Sequence, residues 1–340
     1  MDRNFKIVSS EIDRDAFDII LKDPAFAEIE QQPQAGVYGR AYYPAVYGER
    51  HRSHSFAILQ QEKPILVVLC SSVEGVLGLH GLPLRIFARA GMDSNLFEAA
   101  IGEAFAQFDR LIELHNFREI LVRERASAIL SAIGEACVRR KAVPAVALIG
   151  VVDLEAGPAV WKRSLRKRFQ QFINWGKRNL EIRYLNAENF SIEAFDVYRM
   201  FHAEIAGRVT RPRESWDEMY RAVKDGRGEL LLANLDGKLA AGSLFIDGTC
   251  VTLYMNGVYD RNLDKPLAHF MMWHGIERAR ERGMKSLQLG DIHIQGAVDD
   301  KRYQIGYFKR GFATHTETYL DWRWQVKSEN QIFAPARESD

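Results

Sequence analysis

The sequence predicts an α/β protein with mixed sheets, arranged as two similar units in tandem. Three observations predict it. A long C-terminal run of elements has an earlier counterpart in the same order. Two Asp-Gly pairs fold the later copy into an antiparallel meander. A chain of 340 residues, 47% of them hydrophobic, suits two domains with cores of their own. A repeat on this scale outranks single motifs, because it sets the architecture in which those motifs must be placed.

In the earlier copy, a strand over 55–59 turns at Gln60-Gln61-Glu62-Lys63 into a strand over 64–70. A long helix over 95–115, a strand over 118–122, a helix over 126–139 and a strand over 145–152 follow. The later copy opens with a strand over 180–185 and helices over 192–206 and 213–223. Strands over 229–234, 239–246 and 250–257 are joined at Asp236-Gly237 and Asp247-Gly248. The helix over 268–282 carries Phe270, Met271, Trp273, Ile276 and Ala279 on an apolar face, and Gly283 stops it. A strand over 286–289, a short helix over 304–310 and a strand over 313–322 complete the copy.

Between the copies, Trp161 to Arg178 holds seven cations interleaved with Leu165, Phe169, Phe172 and Ile173. This reads as one basic amphipathic helix that starts the second unit and lies along the groove between the units. The division is 1–155 for a catalytically degenerate first unit, 156–330 for the second, and 331–340 for a flexible tail. The first unit has Ala136-Cys137-Val138-Arg139 where the second has its Phe-Lys pair.

A net charge of +1 argues against a dedicated nucleic-acid coat while allowing a local basic patch. No apolar stretch is long enough to span a bilayer, and no secretory signal follows Met1. Three scattered cysteines, Cys70, Cys137 and Cys250, without metal spacing, point to reduced thiols and a cytoplasmic location. His51 and His54 bracket Arg52-Ser53 and His293 follows Asp291-Ile292. With no further ligand set, these read as loop histidines and no metal is expected.

The later copy contains Gly242-Ser243-Leu244-Phe245, Tyr254-Met255-Asn256-Gly257, Asp260-Arg261 with Lys265-Pro266, Leu289-Gly290-Asp291 and Tyr307-Phe308-Lys309-Arg310-Gly311-Phe312. In its order of elements and in these segments it resembles the GCN5-related acyltransferase superfamily. The tandem arrangement is similar to the Fem-type peptidyltransferases, which build peptidoglycan cross-bridges, and to their relatives in surface-polysaccharide loci. The resemblance implies two tandem acyltransferase-like units with a cleft between them. It also implies acyl or aminoacyl transfer forming an amide on an amino group of a cell-envelope precursor. Two alternatives stand beside this: an acyl-CoA-dependent N-acetyltransferase on a small molecule or sugar nucleotide, and a non-catalytic binder that keeps the duplicated fold.

Acyl transfer of this kind needs a held carbonyl, a deprotonated amine and charge stabilisation for the tetrahedral oxyanion. No Gly-x-Ser-x-Gly elbow is present. The resemblance implies that Lys309, with Phe308, lies at the donor end, where a cation offsets developing charge; as sequence alone, Lys309 also suits a solvated helix face. Asp291, at the end of a strand, suits a proton acceptor or a turn cap. The resemblance further places Tyr254 and Asn256 on a strand that splays from its neighbour beside the acyl group.

Arg208 and Arg211 lie in the loop Gly207-Arg208-Val209-Thr210-Arg211-Pro212-Arg213. Their guanidinium groups suit a phosphate or carboxylate on the acceptor. Trp216 is retained with them as an acceptor contact, although its helical spacing with Tyr220 also suits a core. The donor loop Tyr259–His269 lacks the glycines of a pyrophosphate cradle and carries Asp260 and Asp264, which repel phosphate. Arg261, Lys265 and His269 oppose them as donor contacts. No tightly bound cofactor is expected, and the donor is either a charged tRNA or an acyl-CoA.

Overall fold

The computed structural model describes residues 4–32, 36–294 and 300–326. In chain order its strands and helices are β1 (Phe5–Ser9), α1 (Arg14–Leu21), α2 (Val37–Tyr47), β2 (His51–Ser53), β3 (Phe56–Gln60), β4 (Lys63–Leu69), β5 (Ser71–Val73), β6 (Val76–Gly78), β7 (Leu84–Ala88), α3 (Ser94–His115), β8 (Glu119–Arg125), α4 (Ala132–Arg139) and β9 (Val143–Asp153). They continue with α5 (Gly157–Ser164), α6 (Phe169–Asn179), β10 (Glu181–Leu185), α7 (Ile192–Ala206), α8 (Arg213–Lys224), β11 (Gly228–Leu235), β12 (Lys238–Asp247), β13 (Val251–Tyr259), α9 (Leu267–Glu281), β14 (Ser286–Asp291), α10 (Lys301–Arg310) and β15 (His315–Gln325). No helix among the described residues is long and apolar enough to cross a membrane.

The chain forms two compact units, and their boundaries differ from a single cut at 155. One comprises residues 1–26, 47–146 and 319–340; the other comprises 27–46 and 147–318. The physical reason is strand pairing. In the first unit β1, β3, β4 and β7 run antiparallel in that order and β7 pairs β8 in parallel. Tyr319–Gln325 of β15, from the far end of the chain, then pairs antiparallel with β8. Side chains lock this register: Asp321 accepts two hydrogen bonds from Arg123, at 2.5 and 2.7 Å, and the Trp322 indole donates to Glu124 at 2.6 Å. The core beneath is aromatic, with Phe108 edge-on to both Phe56 and Phe105. The expected tail, 331–340, lies outside the described residues.

From β10 to β15 the chain shows the predicted order β-α-α-β-β-β-α-β-α-β, with residues 319–325 of the last strand in the first unit. The sheet of the second unit runs β10-β11-β12-β13 antiparallel, then β14 parallel to β13, with Ile149–Asp153 of β9 antiparallel to β14. Asp236 and Gly237 both have positive φ, 50° and 76°, as a type I′ hairpin requires. Helices cover both faces. On one, Trp161, Leu165, Phe169, Ile173 and the apolar face of α9 meet the sheet; on the other, α7 and α8 bring Phe195, Tyr198, Trp216 and Met219.

Two predicted helices are corrected. The basic helix breaks into α5 and α6, with Leu165 extended at φ −62°, ψ 132°. Trp161, Leu165, Phe169 and Ile173 still bury together, but the break lets the Arg166 amide donate to the Gly311 carbonyl at 2.9 Å. The helix expected over 126–139 starts only at Ala132, because Ser131 caps it by accepting from the Gly134 amide. α10 begins earlier than expected, at Lys301, with Asp300 as its N-cap.

α9 is pinned to the sheet by buried charge. Glu229 is fully buried and accepts from Arg278 Nε and Nη2 at 3.0 and 2.6 Å and from Arg282 Nη1 at 3.0 Å. Asp247 accepts twice from the same Arg282 and once from Thr252. Each oxygen of both buried carboxylates thereby has a hydrogen-bond donor. Glu229→Ala removes three charge-assisted hydrogen bonds at a buried site and leaves Arg278 only the exposed Glu281 and Arg282 only Asp247, so unfolding in urea should show a loss of about 3–5 kcal/mol. A loss under about 1 kcal/mol would mean that the network is not what holds α9.

Candidate active site

β13 and β14 run parallel and pair only over Val251–Leu253 and Ser286–Gln288. Beyond that point β13 continues to Tyr259 and β14 to Asp291 without pairing to each other, so the sheet opens between them. Tyr254, Asn256 and Gly257 lie on one side of the opening and Leu289, Gly290 and Asp291 on the other. This is the splay that the resemblance implied.

A bulge in β13 decides which side chains face where. Leu244 pairs Asn256 and Phe245 pairs Tyr254, so Met255 is the extra residue. Alternation therefore reverses, and Tyr254 and Tyr259, an odd number apart, both pack toward the α9 core. Their hydroxyls meet at 2.8 Å, and Tyr259 bonds on to Ser243 Oγ at 3.0 Å. Gly257 lies between them; a Cβ there would stand 2.1 Å from the Tyr254 hydroxyl and 2.4 Å from that of Tyr259. Both residues are half-buried overall, yet burial at the hydroxyl ends pushes both phenols above their ordinary range, so they stay protonated.

Asn256 is corrected. It turns to the opposite face, where it is buried, accepts from the Tyr198 hydroxyl and donates to Met219 Sδ at 3.3 Å. Its amide is thus engaged in the scaffold and is not a donor contact.

On the other side of the opening, Lys309 reaches from α10 to the end of β14. Its ammonium donates to the Asp291 carbonyl at 3.4 Å, and a Cβ on Gly290 would lie 3.0 Å from it. Burial pushes the Lys309 pKa down, and the charge of Asp291 opposes that shift. The solvated-lysine alternative fails on this placement. Lys309 and Asp291, both singled out from sequence, come together.

Phe308 and His269 are corrected. Phe308 packs into the core against Phe169, Phe312 and His269. His269 is ringed by Phe169 at 4.5 Å and Phe172 at 4.7 Å, and its Nδ1 is buried without a hydrogen-bond partner. Burial lowers its pKa to about 4, so the ring is neutral near pH 7 and brings no positive charge to a phosphate.

A cavity of about 580 Å³ opens at the end of β13, where Gly257, Val258 and Tyr259 form part of its wall. Arg208, Arg211, Arg261 and Lys301 bring four cations to it, and α2 brings Tyr38, Tyr42 and Tyr43. No Asp or Glu among the described residues lines it. Tyr38 and Tyr42 stack at 5.6 Å and 17°, one helical turn apart. Arg208 and Arg211 are therefore brought together as expected, and Arg261, expected at the donor, joins them. Lys265 is exposed and lies outside the lining.

Trp216 is corrected as well. It is 5% exposed, edge-on to Phe195, Tyr198 and His202, and holds the Arg211 guanidinium 5.8 Å from its ring, so it positions the arginine and offers no stacking face. Sequence reasoning missed the tyrosines and Lys301. The available signal was Tyr38 and Tyr42 at i, i+4 spacing, which the neighbouring Pro44 obscured.

The donor loop bonds largely to itself. Asp260 accepts from the Asn262 amide at 3.0 Å, the Asp264 amide points to the Arg261 carbonyl, and the Leu267 amide donates to the Lys265 carbonyl at 2.8 Å. Pro266 occupies the N-cap of α9 and has no N–H to give. Two of the three cysteines offer no covalent route either. Burial raises both Cys70 and Cys137, the latter to about 12, so neither supplies a thiolate near neutrality.

Residues 163–304 match the family model described as "Acetyltransferase (GNAT) domain". No curated protein matches the chain. Among solved structures, FemX superposes with a TM-score of 0.62 at 12% identity, over 88% of this chain and 94% of its own. A tandem GNAT protein from the clavulanic acid biosynthesis pathway gives 0.53 at 13% identity, over 96% and 100%. L-PGS from Bacillus licheniformis gives 0.53 at 11% identity, over 78% and 83%. Residues 163–304 thus match an acetyltransferase domain, and the chain shares its fold with the tandem-GNAT and Fem-like structures.

Proposed function

We propose that the protein transfers an aminoacyl group from a charged tRNA to an amino group of an anionic cell-envelope precursor, of the peptidoglycan or surface-polysaccharide kind. The observation that carries this reading is the cavity at the end of β13, with four cations, four tyrosines and no lining carboxylate among the described residues. A phosphorylated, ring-bearing acceptor suits such a lining, since guanidinium groups pair with phosphate and phenol faces stack. The donor reading rests on two supports. The loop before α9 spends its Asn262, Asp264 and Leu267 amides on its own carbonyls and Asp260. Lys162, Arg163, Lys167, Arg168, Lys177 and Arg178 of α5, α6 and their flanks are exposed, which suits a polyanionic strand.

In the reaction the acceptor amine attacks the donor carbonyl, a C–N bond forms, and the ester C–O bond to the tRNA breaks. Lys309 offsets the oxyanion charge from the β14 side of the opening, and Asp291 orients the amine or receives its proton. Tyr254 and Tyr259 remain protonated hydroxyl donors within the same opening. An acyl-CoA donor is the second reading. Incubation with acyl-CoAs and with charged tRNA, each with candidate acceptors, separates the two by which donor is consumed; consumption of neither would leave a binder.

Arg211 is aimed by His202. Its Nη1 donates to His202 Nε2 at 3.1 Å and its Nε to the Tyr38 hydroxyl at 3.2 Å, while His202 Nδ1 meets Thr210 Oγ1 at 3.2 Å. This fixes His202 as the neutral Nδ1–H tautomer. Burial, helped by the charge of Arg211, lowers its pKa to about 4.

Three outcomes follow from these placements. Replacing Arg208 or Arg211 with alanine should weaken acceptor binding by about 1–3 kcal/mol per charge-assisted contact, measured calorimetrically; unchanged affinity in both would make the loop a solvated surface. Lys309→Met should lower turnover about 100-fold or more with substrate affinities little changed. Because it removes a buried charge, the melting temperature should hold or rise, so an inactive but unfolded variant would not count in favour.

The last outcome concerns pH. His202 takes a proton near 6.5 when unfolded but only near 4 when folded, so stability is full above pH 6.5 and falls as pH drops toward 4. His202→Gln should flatten that slope by up to one proton; an unchanged slope would refute the buried neutral imidazole.

A further inference from the structure

The first unit holds a cluster that acyl transfer does not use. Glu11 lies in the turn between β1 and α1, His54 between β2 and β3, and His115 at the last residue of α3. Their ligand atoms all lie within 4.8 Å of one another. His54 lies in a loop as expected, yet its side chain is 0% exposed. His51 bonds elsewhere, Nε2 to His80 Nδ1 at 2.8 Å.

We propose that Glu11, His54 and His115 form a binding site for a divalent transition-metal ion, with Zn²⁺ the best match to two imidazoles and one carboxylate. His54 Nδ1 lies 2.9 Å from Glu11 Oε1, yet that contact lacks hydrogen-bond alignment and Nδ1 is a buried atom without a bonded partner. A serine–histidine–carboxylate relay needs an N–H directed along this line, and the geometry does not supply one. Ligands of a tetrahedral ion instead flank a shared point, about 3.4 Å apart.

The surroundings fit the same reading. His54 Nε2 is 2.8 Å from Ser72 Oγ, so it can donate its N–H there and leave the Nδ1 lone pair for the metal. Phe117 packs edge-on to His54 at 5.3 Å and stacks on His115 at 5.5 Å, an apolar wall that fixes both rings. His115 ends a helix of 22 residues, where the partial negative charge of the C-terminus favours a cation. Glu11 is 35% exposed, which leaves a path for the ion and a position for water.

The test uses the full chain, stripped with a chelator and titrated with ZnCl₂ against a chromophoric zinc indicator. One equivalent should bind and raise the melting temperature, and MgCl₂ should do neither. His115→Ala and Glu11→Gln, both at partly exposed positions, should each weaken zinc by at least about 10-fold, and Ser72→Ala by about 10-fold through the lost support of the ring. His51→Ala should change nothing. Absence of stoichiometric zinc, retention of full affinity in both ligand variants, or loss in His51→Ala would each overturn the site. All the ligands belong to the first unit, so this result stands apart from donor or acceptor chemistry.

Discussion

One extra residue in a strand organises the candidate site. Were β13 regular, Tyr254 and Tyr259 would fall on opposite faces of the sheet, and so could not share a hydrogen bond. The Met255 bulge reverses the alternation, puts both phenols on the α9 side and turns Asn256 toward Tyr198. It sits just past Leu253, the last residue of β13 to pair with β14, so the change of face and the opening of the sheet occur together. Gly257 is the companion constraint, since any side chain there would occupy the space of the two hydroxyls. The cavity wall formed by Gly257, Val258 and Tyr259 follows from both.

The elements legible in the sequence were those governed by local rules. The Asp236-Gly237 hairpin and the helix α7, with Ser191 at its start and Gly207 at its end, appear where their residues required. What was not legible depended on distant partners. Nothing near Tyr319 signals that it will pair with Arg125, yet the 2.6 Å bond from Trp322 to Glu124 completes the first unit with the chain's last strand. α2 was missed for a different reason. Pro44 lies inside it and its few buried positions leave no apolar stripe to read, because three of its side chains face a cavity.

Burial separates the predicted site residues that line the opening or the cavity from those taken up by the core. Asn256, His269, Phe308 and Trp216 all occupy the predicted neighbourhood, but each is taken up by the core: Asn256 by Tyr198 and Met219, Trp216 by its aromatic neighbours. A polar group whose bonds are already made inside the protein has nothing left for substrate without exposing its partner. The cations divide in the same way. Arg278 and Arg282 are bound to buried carboxylates and serve the fold, whereas Arg208, Arg261 and Lys301 face a cavity with no described carboxylate. Charge type alone does not distinguish these groups; the location of the compensating charge does.

The same accounting bears on the donor. A pyrophosphate is held at a helix start when several backbone N–H groups converge unpaired and the surrounding charge is positive. Here the Asn262 amide already bonds the Asp260 carboxylate, the Leu267 amide bonds the Lys265 carbonyl, and residue 266 is a proline. A pyrophosphate would have to displace one anion and approach a second, Asp264, with Arg261 turned toward the other cavity. Lys265 alone does not reverse that balance. A donor that brings its acyl group without a pyrophosphate at this loop meets no such barrier. Its own phosphates can be met by exposed lysines and arginines such as those of α5 and α6, where binding would weaken steeply with salt.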